Sequence, residues 1–238
     1  MKPYEKLAFV YDNYWHVFSR MYKKFLLSAI KRHDIITDSV LELACGTGTL
    51  MAMIKSRCKA ITGLDLSEEM LCVARQKEEL KDCRLVQGDF TTFTFDTTFN
   101  LILLCFDSMN YVHSADDLDL LLSSVRKHLI KGGFFVFDVL NEKHFESLSG
   151  RSVDCPDDAP FAYQNQLYYD AQIKRFQSSF VFSDGDCEVH YQIPLEYKLV
   201  SDALSKNGFE TVAVYGDYMM NQPDNNTTRF YFVVKAGE

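Results

Sequence analysis

The sequence lacks the cysteine patterns that mark disulfide scaffolds and zinc sites. Its 238 residues contain seven cysteines, an odd number, and no two of them have CxxC spacing. This pattern is typical of reduced, mostly buried thiols and predicts no metal site. Charged residues run through the first thirty positions, and no uncharged apolar stretch approaches the ~18 residues that span a bilayer. We therefore expect a cytoplasmic protein without a signal peptide or a membrane segment.

Positive charge is also scarce. The chain has 25 lysines and arginines against 33 aspartates and glutamates, a formal net charge of −8. Such an acidic protein is poorly suited to bind a phosphate backbone, so we do not expect nucleic acid as its partner. Apolar residues make up 47% of the chain and aromatic residues 14%, which is enough for the core of one large domain with an insertion.

Glycine is sparse, with 11 in the chain, but Gly46 and Gly48 lie together in the stretch from Val40 to Leu50. This stretch has an apolar run, then the glycines, then a helical pattern, and it predicts a buried strand, a tight turn and the start of a helix. A helix beginning behind such a turn directs free N–H groups outward. Nucleotide-type ligands bind at this place, at the carboxyl ends of parallel strands.

Strands and helices alternate through the first 140 residues. We predict an amphipathic helix or pair of helices over 3–34, which either packs on the core or forms a lid over the ligand. Apolar runs and helical periods extend the alternation; the predicted strands are 39–43, 60–65, 84–87, 101–105 and 134–139, and the helices are 49–56, 67–80 and a third from Ser114 to the stop at Lys131-Gly132-Gly133. This order predicts an open parallel α/β sheet.

The pattern changes after residue 141. A short helix over 142–150 and a polar loop over 151–160 precede β-like segments at 161–169, 174–182 and 187–192, with a hairpin turn at 183–186. A helix from Pro194 to Asn207-Gly208 follows. The last two strands, 210–215 and 229–234, are joined by a polar loop without a helical pattern, so the final strand should be antiparallel.

We therefore divide the chain into three parts: an N-terminal helical lid (1–34), a sheet core (35–141 and 194–238), and a small antiparallel β insertion (142–193) that caps the substrate. Three acids, Glu42, Asp65 and Asp89, follow three successive strands, whose ends converge on one crevice. Asp65 lies nineteen residues after Gly46, the spacing at which an acid reaches the two hydroxyls of a ribose. Either later acid could instead act only as a helix cap.

Five segments in this order resemble the class I S-adenosylmethionine-dependent methyltransferases: LELACGTGTL, LDLS, QGDF, LLCFDSMNYV and KGGFFVFDV. The resemblance covers about 36–140, with a weaker match in the final hairpin. It implies an open, mostly parallel, seven-stranded Rossmann-like methyltransferase sheet with an antiparallel last strand. It also implies S-adenosyl-L-methionine as the cofactor, contacted by Tyr11, Glu42, Ala44, Cys45, Gly46, Gly48, Asp65, Leu66, Met70, Gly88, Asp89, Phe90, Cys105 and Phe106.

The resemblance also assigns roles within this set. The loop 44–48 lies against the methionine part of the cofactor, and Glu42 reaches toward its amino group. Asp65 binds the ribose hydroxyls, while Asp89 and Phe90 meet the adenine. Ala44 stands where the family most often has glycine. Cys45 lies inside the glycine turn, where a wall of the cofactor site is a better interpretation than a nucleophile.

Methyl transfer from a sulfonium requires mainly that nucleophile, methyl carbon and sulfur be aligned. Our candidate catalytic residues are Tyr11, Asn110, Tyr111 and His113, with Asn141 nearby and His190 and Tyr191 farther off on the insertion. The Asn-Pro-Pro-Tyr and Pro-Cys motifs of nucleic-acid methylases are absent, so we expect a small-molecule acceptor with an N or O nucleophile. We expect the protein to act as a monomer or a homodimer.

Two other functions remain open at the level of sequence. A nicotinamide-dependent oxidoreductase would need a third glycine for close helix packing, and Met51 occupies that position. A non-catalytic module that only binds the cofactor would carry the same cofactor residues.

Overall fold

Two β-sheets organise the computed structural model, which describes residues 1–155 and 162–237. The strands, in chain order, are β1 (Ser39–Leu43), β2 (Ala60–Asp65), β3 (Arg84–Gln87), β4 (Phe99–Leu104), β5 (Leu129–Leu140), β6 (Ser152–Asp154), β7 (Tyr163–Asp170), β8 (Arg175–Phe182), β9 (Cys187–Gln192), β10 (Phe209–Tyr215) and β11 (Arg229–Ala236). The α-helices are α1 (Tyr11–Arg32), α2 (Thr49–Ile54), α3 (Glu68–Arg75), α4 (Ala115–His128), α5 (Glu142–Leu148) and α6 (Tyr197–Lys206).

The larger sheet has seven strands in the order β10-β11-β5-β4-β1-β2-β3. Strands β1 to β5 pair in parallel, and β11 pairs antiparallel with both β5 and β10. The prediction of a mostly parallel sheet closed by one reversed strand is therefore confirmed. The strand order reverses between β1 and β4, and the crevice outside the carboxyl ends at such a point is where ligands bind.

Helices cover both faces of this sheet because its central strands are apolar on both sides. On one face α1, α2 and α3 pack through residues such as Phe25, Met51 and Leu71. On the other face α4 and α6 pack through residues such as Leu121 and Leu204. Burial of both faces is what allows β1, β4 and β5 to be continuous apolar runs.

The smaller sheet, β6-β7-β8-β9, is antiparallel throughout and confirms the predicted β insertion. Its inner face carries Phe180 and Phe182, which pack with Leu7 and Val10 of the N-terminal segment. Further along the same face, Phe176 packs with Phe145 of α5. The N-terminal segment thus lies against the insertion, and α1 behind it lies against the main sheet.

The junction of α4 and β5 differs from the prediction. The pair Gly132-Gly133 does not stop the helix, which already ends at His128, because β5 begins at Leu129 and runs through both glycines. Gly132 has φ +74°, and the register with β4 shifts between Phe99 and Leu101. The glycines therefore accommodate an irregular first part of the strand, a second role that glycine commonly plays.

Smaller differences concern the ends of elements. The helices predicted over 49–56 and 67–80 end at Ile54 and Arg75, and a short 3₁₀ turn follows each of them. Helix α6 begins at Tyr197 rather than Pro194, and β6 forms within the stretch predicted to be a loop. The predicted loop residues 156–160 and the first residue of the predicted strand 161–169 lie outside the described residues. The strand itself is observed as β7, which begins at Tyr163.

Candidate active site

A cavity of about 1140 Å³ lies at the carboxyl ends of the central strands. Its floor is the loop after β1 with the ends of β2, β3 and β4. Its walls are the N-terminal segment, represented by Tyr4 and Tyr11, and the inner face of the small sheet, represented by His190 and Gln192. The cavity therefore joins all three parts into which the sequence was divided.

The loop after β1 turns through three left-handed residues. Ala44, Gly46 and Gly48 have φ values of 50°, 55° and 71°. A Cβ atom added to Gly48 would lie 2.5 Å from Cδ1 of Leu80, so a glycine is needed for the chain to pass this close. The turn brings the start of α2 to the cavity floor, where Thr47 and Thr49 join the lining.

Asp65 at the end of β2 holds this loop in place. Its Oδ2 atom accepts a hydrogen bond from the N–H of Gly46 at 2.7 Å, and its Oδ1 atom accepts one from the N–H of Ser67 at 2.9 Å. Burial raises the pKa of Asp65, against the lowering effect of these N–H donors. A carboxylate has about four acceptor positions, so each oxygen can still accept from a ligand hydroxyl.

Glu42 is a buried acid behind the loop. Its side chain is 2% exposed, and burial together with the nearby Asp65 raises its pKa to about 8. Its Oε2 atom has no hydrogen-bond partner among the described residues. A buried acceptor without a partner is costly, and a cationic ligand group nearby would relieve that cost.

The N-terminal helix is tied to the glycine loop by one carboxylate. Asp12 Oδ1 accepts hydrogen bonds from the hydroxyls of Thr47 and Thr49 at 2.6 and 2.8 Å. Its other oxygen pairs with Lys77 at 2.6 Å. One residue earlier, Tyr11 lines the cavity and stacks on Trp15 with ring centroids 5.7 Å apart. The tie therefore fixes Tyr11 beside the loop.

Two tyrosines and a histidine meet at the other end of the cavity. The hydroxyls of Tyr4 and Tyr111 are 2.8 Å apart, and the hydroxyl of Tyr111 is 3.2 Å from Nδ1 of His190. The Nε2 atom of His190 is 3.4 Å from Oε2 of Glu188, which is fully buried. Burial raises the pKa of both tyrosines, so both hydroxyls keep their protons at neutral pH.

An ion cluster completes this end. Arg229 pairs with Asp107 at 2.8 Å and also with the buried Asp138, and Gln192 donates to Asp107 at 2.7 Å. Phe106 and Asp107 have φ values of 62° and 51°, a conformation that non-glycine residues seldom adopt. The N–H of Asp107 donates to Asp138 at 2.9 Å, which holds the turn after β4 in this conformation.

The comparisons with known proteins agree on one family. Residues 40–133 match the family model of a methyltransferase domain. The putative methyltransferase YqeM of Bacillus subtilis (strain 168) is 28% identical over 202 residues, which cover 81% of this chain and 82% of that protein. The crystal structure of an S-adenosylmethionine-dependent methyltransferase from Clostridium acetobutylicum ATCC 824 matches with a TM-score of 0.84 and 26% identity over 99% of both chains.

The chain is a class I S-adenosylmethionine-dependent methyltransferase. A further relative, the dTDP-3-amino-3,4,6-trideoxy-alpha-D-glucopyranose N,N-dimethyltransferase of Streptomyces venezuelae, is 35% identical over 101 residues, 42% of each chain. These matches support the methyltransferase over the oxidoreductase and over the non-catalytic module.

The methyltransferase has residues that fit its cofactor. Glu42, one strand position before Leu43 and the glycine loop, has a buried Oε2 atom without a partner among the described residues, and the ammonium of a methionine moiety would suit such an acceptor. Asp65 keeps free acceptor positions for ribose hydroxyls, and Leu66, 66% exposed, offers an apolar surface beside it. When bound, S-adenosylmethionine supplies a methyl group already activated on a sulfonium. The chain's own residues have to align the acceptor with it, exclude water and receive a proton.

Most of the residues predicted for the site line the cavity. Those that do are Tyr11, Ala44, Cys45, Gly46, Asp65, Leu66, Met70, Asp89, Phe90, Phe106, Tyr111 and His113. Outside the lining are Glu42, Gly48, Gly88 and Cys105. Burial raises the pKa of the Cys45 thiol, which agrees with a wall of the site rather than a nucleophile. The binding role of each residue remains a prediction.

Asn110, predicted to be a catalytic residue, has a structural role instead. Its side chain is fully buried, donates to the carbonyls of Leu140 and Ile193, and accepts from the N–H of Leu140. With its amide committed to backbone groups and outside the cavity lining, Asn110 joins β5 to the end of the insertion instead. Asn141 is likewise committed, because it caps α5 and donates to the carbonyl of Thr227.

The sequence did not predict several polar residues at the end of the cavity where Tyr4, Tyr111 and His190 meet. Asp107 stands within a quoted motif and Arg229 begins the predicted last strand, but nothing local indicated that they lie near Tyr4. His190 was placed far from the site and lines it, whereas its neighbour Tyr191 is on the outer face against Arg175. Alternation along β9 was the available signal, since His190 and Gln192 share one face and Tyr191 the other.

Proposed function

We propose that this methyltransferase transfers the methyl group to the nitrogen of a small amine. The observation that carries this proposal is the charge of the cavity lining. Among the described residues that line the cavity, only Lys2 and Arg229 contribute full positive charge, and Arg229 is already paired with two carboxylates. The acidic side chains in the lining outnumber them; they are Asp65, Glu68, Glu69, Asp89, Asp107, Asp117 and Asp217.

An acidic cavity favours a cationic ligand and disfavours an anionic one. Amines are cationic at neutral pH, and aromatic walls such as Tyr4 and Tyr11 also suit a cation. The relative from Streptomyces venezuelae, by its name, methylates an amino sugar carried on dTDP. It supports nitrogen as the nucleophile. The acidic lining supports a free amine here, since a diphosphate carrier would bring negative charge into an acidic site.

The inner face of the small sheet supports a polar acceptor. Asn165, Ser178 and Gln192 line the cavity there, and the Ser178 hydroxyl donates to Oδ1 of Asn165 at 2.8 Å. Phe176 and Phe180 line the cavity on the same face. An acceptor with hydroxyl groups on an apolar ring, such as a free amino sugar, offers hydrogen bonds to the first group and an apolar surface to the second.

The residues would then act by position. The glycine loop, held by Asp65, fixes the sulfonium end of the cofactor, and the inner face of the small sheet orients the acceptor. Placing the nitrogen in line with the methyl carbon and sulfur can supply roughly 7–11 kcal/mol of the barrier. Tyr11 and the N-terminal segment close the cavity from solvent, which is the basis for proposing that residues 1–34 form its lid.

Matched acceptors test this proposal. The purified protein is incubated with methyl-labelled S-adenosylmethionine and three forms of one compound: the free amino sugar, its hydroxyl analogue, and the amino sugar linked to a nucleoside diphosphate. We expect label in the free amine at a kcat/KM at least tenfold above that of either other form. Preference for the hydroxyl analogue would contradict nitrogen as the nucleophile. Preference for the nucleotide-linked form would contradict the charge argument.

The setting of the reaction is part of the same proposal. All seven cysteines are free thiols in the structure, which supports a reducing compartment such as the cytoplasm. In the part of the chain that the structure describes, no helix is long and apolar enough to cross a bilayer. The main partner is then a small-molecule acceptor, and a monomer or a homodimer would suffice.

A further inference from the structure

Three side chains and a buried carboxylate form a continuous chain of hydrogen-bonding groups that starts in the cavity and ends away from it. Tyr4 and Tyr111 are joined at 2.8 Å, Tyr111 and His190 at 3.2 Å, and His190 and Glu188 at 3.4 Å. The first three residues line the cavity, whereas Glu188 is fully buried behind them. Its members lie on the N-terminal segment, on the turn after β4 and on β9, and none of them is among the residues predicted to contact the cofactor.

We infer that Tyr111, His190 and Glu188 form a relay that takes the proton from the ammonium group of the acceptor. The inference rests on the proposed function, because it presupposes an amine that arrives protonated. In that form the nitrogen has no free electron pair and cannot attack the methyl carbon. A site that attracts cationic amines therefore needs a group that receives a proton.

Glu188 determines which ring nitrogen of His190 can receive it. One of its oxygens accepts from the N–H groups of Lys6 and Leu7, and the other accepts from that of Tyr4. Burial tends to raise its pKa, but His190 and the N–H donors outweigh this and leave the pKa lowered. Glu188 is thus an ionised acceptor at neutral pH. The Nε2 atom of His190 must donate to it, so Nδ1 is left to accept from Tyr111.

The proton balance follows from this geometry. The ammonium gives one proton to the oxygen of Tyr111, and the hydroxyl proton of Tyr111 passes to Nδ1 of His190. The resulting imidazolium is stabilised by Glu188, and Tyr111 is a neutral phenol before and after. The freed electron pair of the amine forms the carbon–nitrogen bond, while the carbon–sulfur bond breaks and its electrons go to sulfur. His190 later returns its proton to solvent.

The surroundings of His190 favour this step. The titratable groups that face it are Glu188 on its own strand, Tyr4 on the N-terminal segment and Tyr111 after β4. Asp107 and Asp65 lie beyond the tyrosines, where their charges act on both hydroxyls. The ring itself is held edge-on by Tyr4 and Phe180 at centroid distances of 4.4 and 4.9 Å. Arg229 pairs with Asp107 and offsets its charge, so Glu188, 3.4 Å from Nε2, is the carboxylate next to the ring that receives the proton.

The first test does not depend on catalysis. Nitrogen-15 NMR of the histidine rings, with His190 assigned by the His190→Gln variant, shows which ring nitrogen carries the proton near pH 8. We expect the proton on Nε2 and a shift of the Nδ1 resonance in the Tyr111→Phe variant. A proton on Nδ1, or an Nδ1 resonance that Tyr111→Phe leaves unchanged, would overturn the relay. A failed amine panel would count against the proposed function only, and this experiment would still decide the relay.

The second test uses the best amine from that panel. The relay predicts a wild-type kcat that rises with pH, because the relay must be free to receive a proton. We expect His190→Gln to lower kcat about a hundredfold and to abolish that rise, while cofactor affinity stays within twofold of wild type. Tyr111→Phe should fold correctly and show the same loss of kcat and of its pH dependence. The matched control is Tyr191→Phe, which removes a hydroxyl from the outer face of the same strand and should change nothing. A kcat within threefold of wild type with the same pH profile in both relay variants would overturn the proposal.

Discussion

The N–H of Gly46 donates a hydrogen bond of 2.7 Å to the carboxylate of Asp65. This contact joins the glycine loop after β1 to the end of β2, nineteen residues farther along the chain. We therefore propose two tasks for the acid. It holds the loop, and its remaining acceptor positions, at the lining of the cavity, bind the cofactor. Loss of Asp65 should consequently affect both the affinity for the cofactor and the stability of the fold.

Substitution of Asp65 tests both tasks. Asp65→Ala removes a charged acceptor, so we expect cofactor binding to weaken by ~1.5–3 kcal/mol. The melting temperature should fall too, because the N–H groups of Gly46 and Ser67 lose their partner. Titration calorimetry and thermal unfolding measure the two effects. Asp96→Ala, at an exposed position, is the control for loss of one negative charge. Wild-type affinity in Asp65→Ala would remove this residue from the cofactor site.

Glu42 should make stability depend on pH. Its pKa of about 8 in the folded protein exceeds its usual value of 4.5, so the folded state keeps a proton that the unfolded chain has released. The free energy of unfolding therefore falls as pH rises from about 4.5 to about 8. Glu42→Gln removes this dependence. Compared with the difference between the two proteins at acid pH, the variant should therefore gain a few kcal/mol of unfolding free energy over wild type above pH 8, where it should be the more stable of the two. Urea unfolding across this range checks it, and parallel curves for the two proteins would contradict it.

Asp12 should couple the N-terminal helix to the cofactor loop. Asp12→Ala removes its hydrogen bonds to Thr47 and Thr49 and its ion pair with Lys77. We expect cofactor affinity to fall about tenfold and stability to fall by ~1–3 kcal/mol, the worth of hydrogen bonds to a charged group. Stopped-flow binding should locate the affinity loss in a faster dissociation rate.

The control is Asp38→Ala, which breaks an exposed ion pair with Lys59. Such surface pairs contribute ~0–1 kcal/mol, so this variant should match wild type in cofactor binding. If Asp12→Ala behaved as Asp38→Ala does, the N-terminal helix would not be coupled to the loop.

Gly48 and Gly150 allow backbone strain to be separated from crowding. Both have left-handed φ angles, +71° and +80°, but a Cβ atom at Gly150 would meet nothing within 4 Å. Alanine at Gly150 should cost only the ~1–2 kcal/mol of the left-handed conformation. Alanine at Gly48 should cost a further ~1–3 kcal/mol because it crowds Leu80 and Ala74. Denaturant unfolding compares the two variants, and equal losses would show that crowding at the loop is unimportant.

The sequence predicted the parts of the fold that depend on local pattern. The apolar runs of β1, β4 and β5 indicated strands covered on both faces, and the polar loop before β11 indicated its reversal. The glycine loop and Asp65 were predictable because their spacing is fixed by one strand–turn–helix–strand unit. The prediction that Gly132-Gly133 ends a helix was wrong, because a glycine pair is equally compatible with an irregular strand.

The cluster of Tyr4, Tyr111 and His190 could not be predicted in the same way. Tyr4 and Tyr111 are 107 positions apart, and Tyr111 and His190 are 79 apart. No periodicity in the sequence indicates which strand of the insertion lies opposite which turn of the core. Asn110 shows the converse error, since an amide after a strand looked catalytic and is instead committed to backbone groups. Only the packing of the small sheet on the N-terminal segment brings the relay together.

The most direct measurement for the central claim is identification of the atom that receives the methyl group. The best acceptor of the amine panel, labelled with nitrogen-15, is converted with S-adenosylmethionine carrying a carbon-13 methyl group, and the product is examined by NMR. The proposed function predicts a one-bond coupling between carbon-13 and nitrogen-15 in the product. A labelled methyl on oxygen, or binding of the cofactor without label in any amine of the panel, would contradict it.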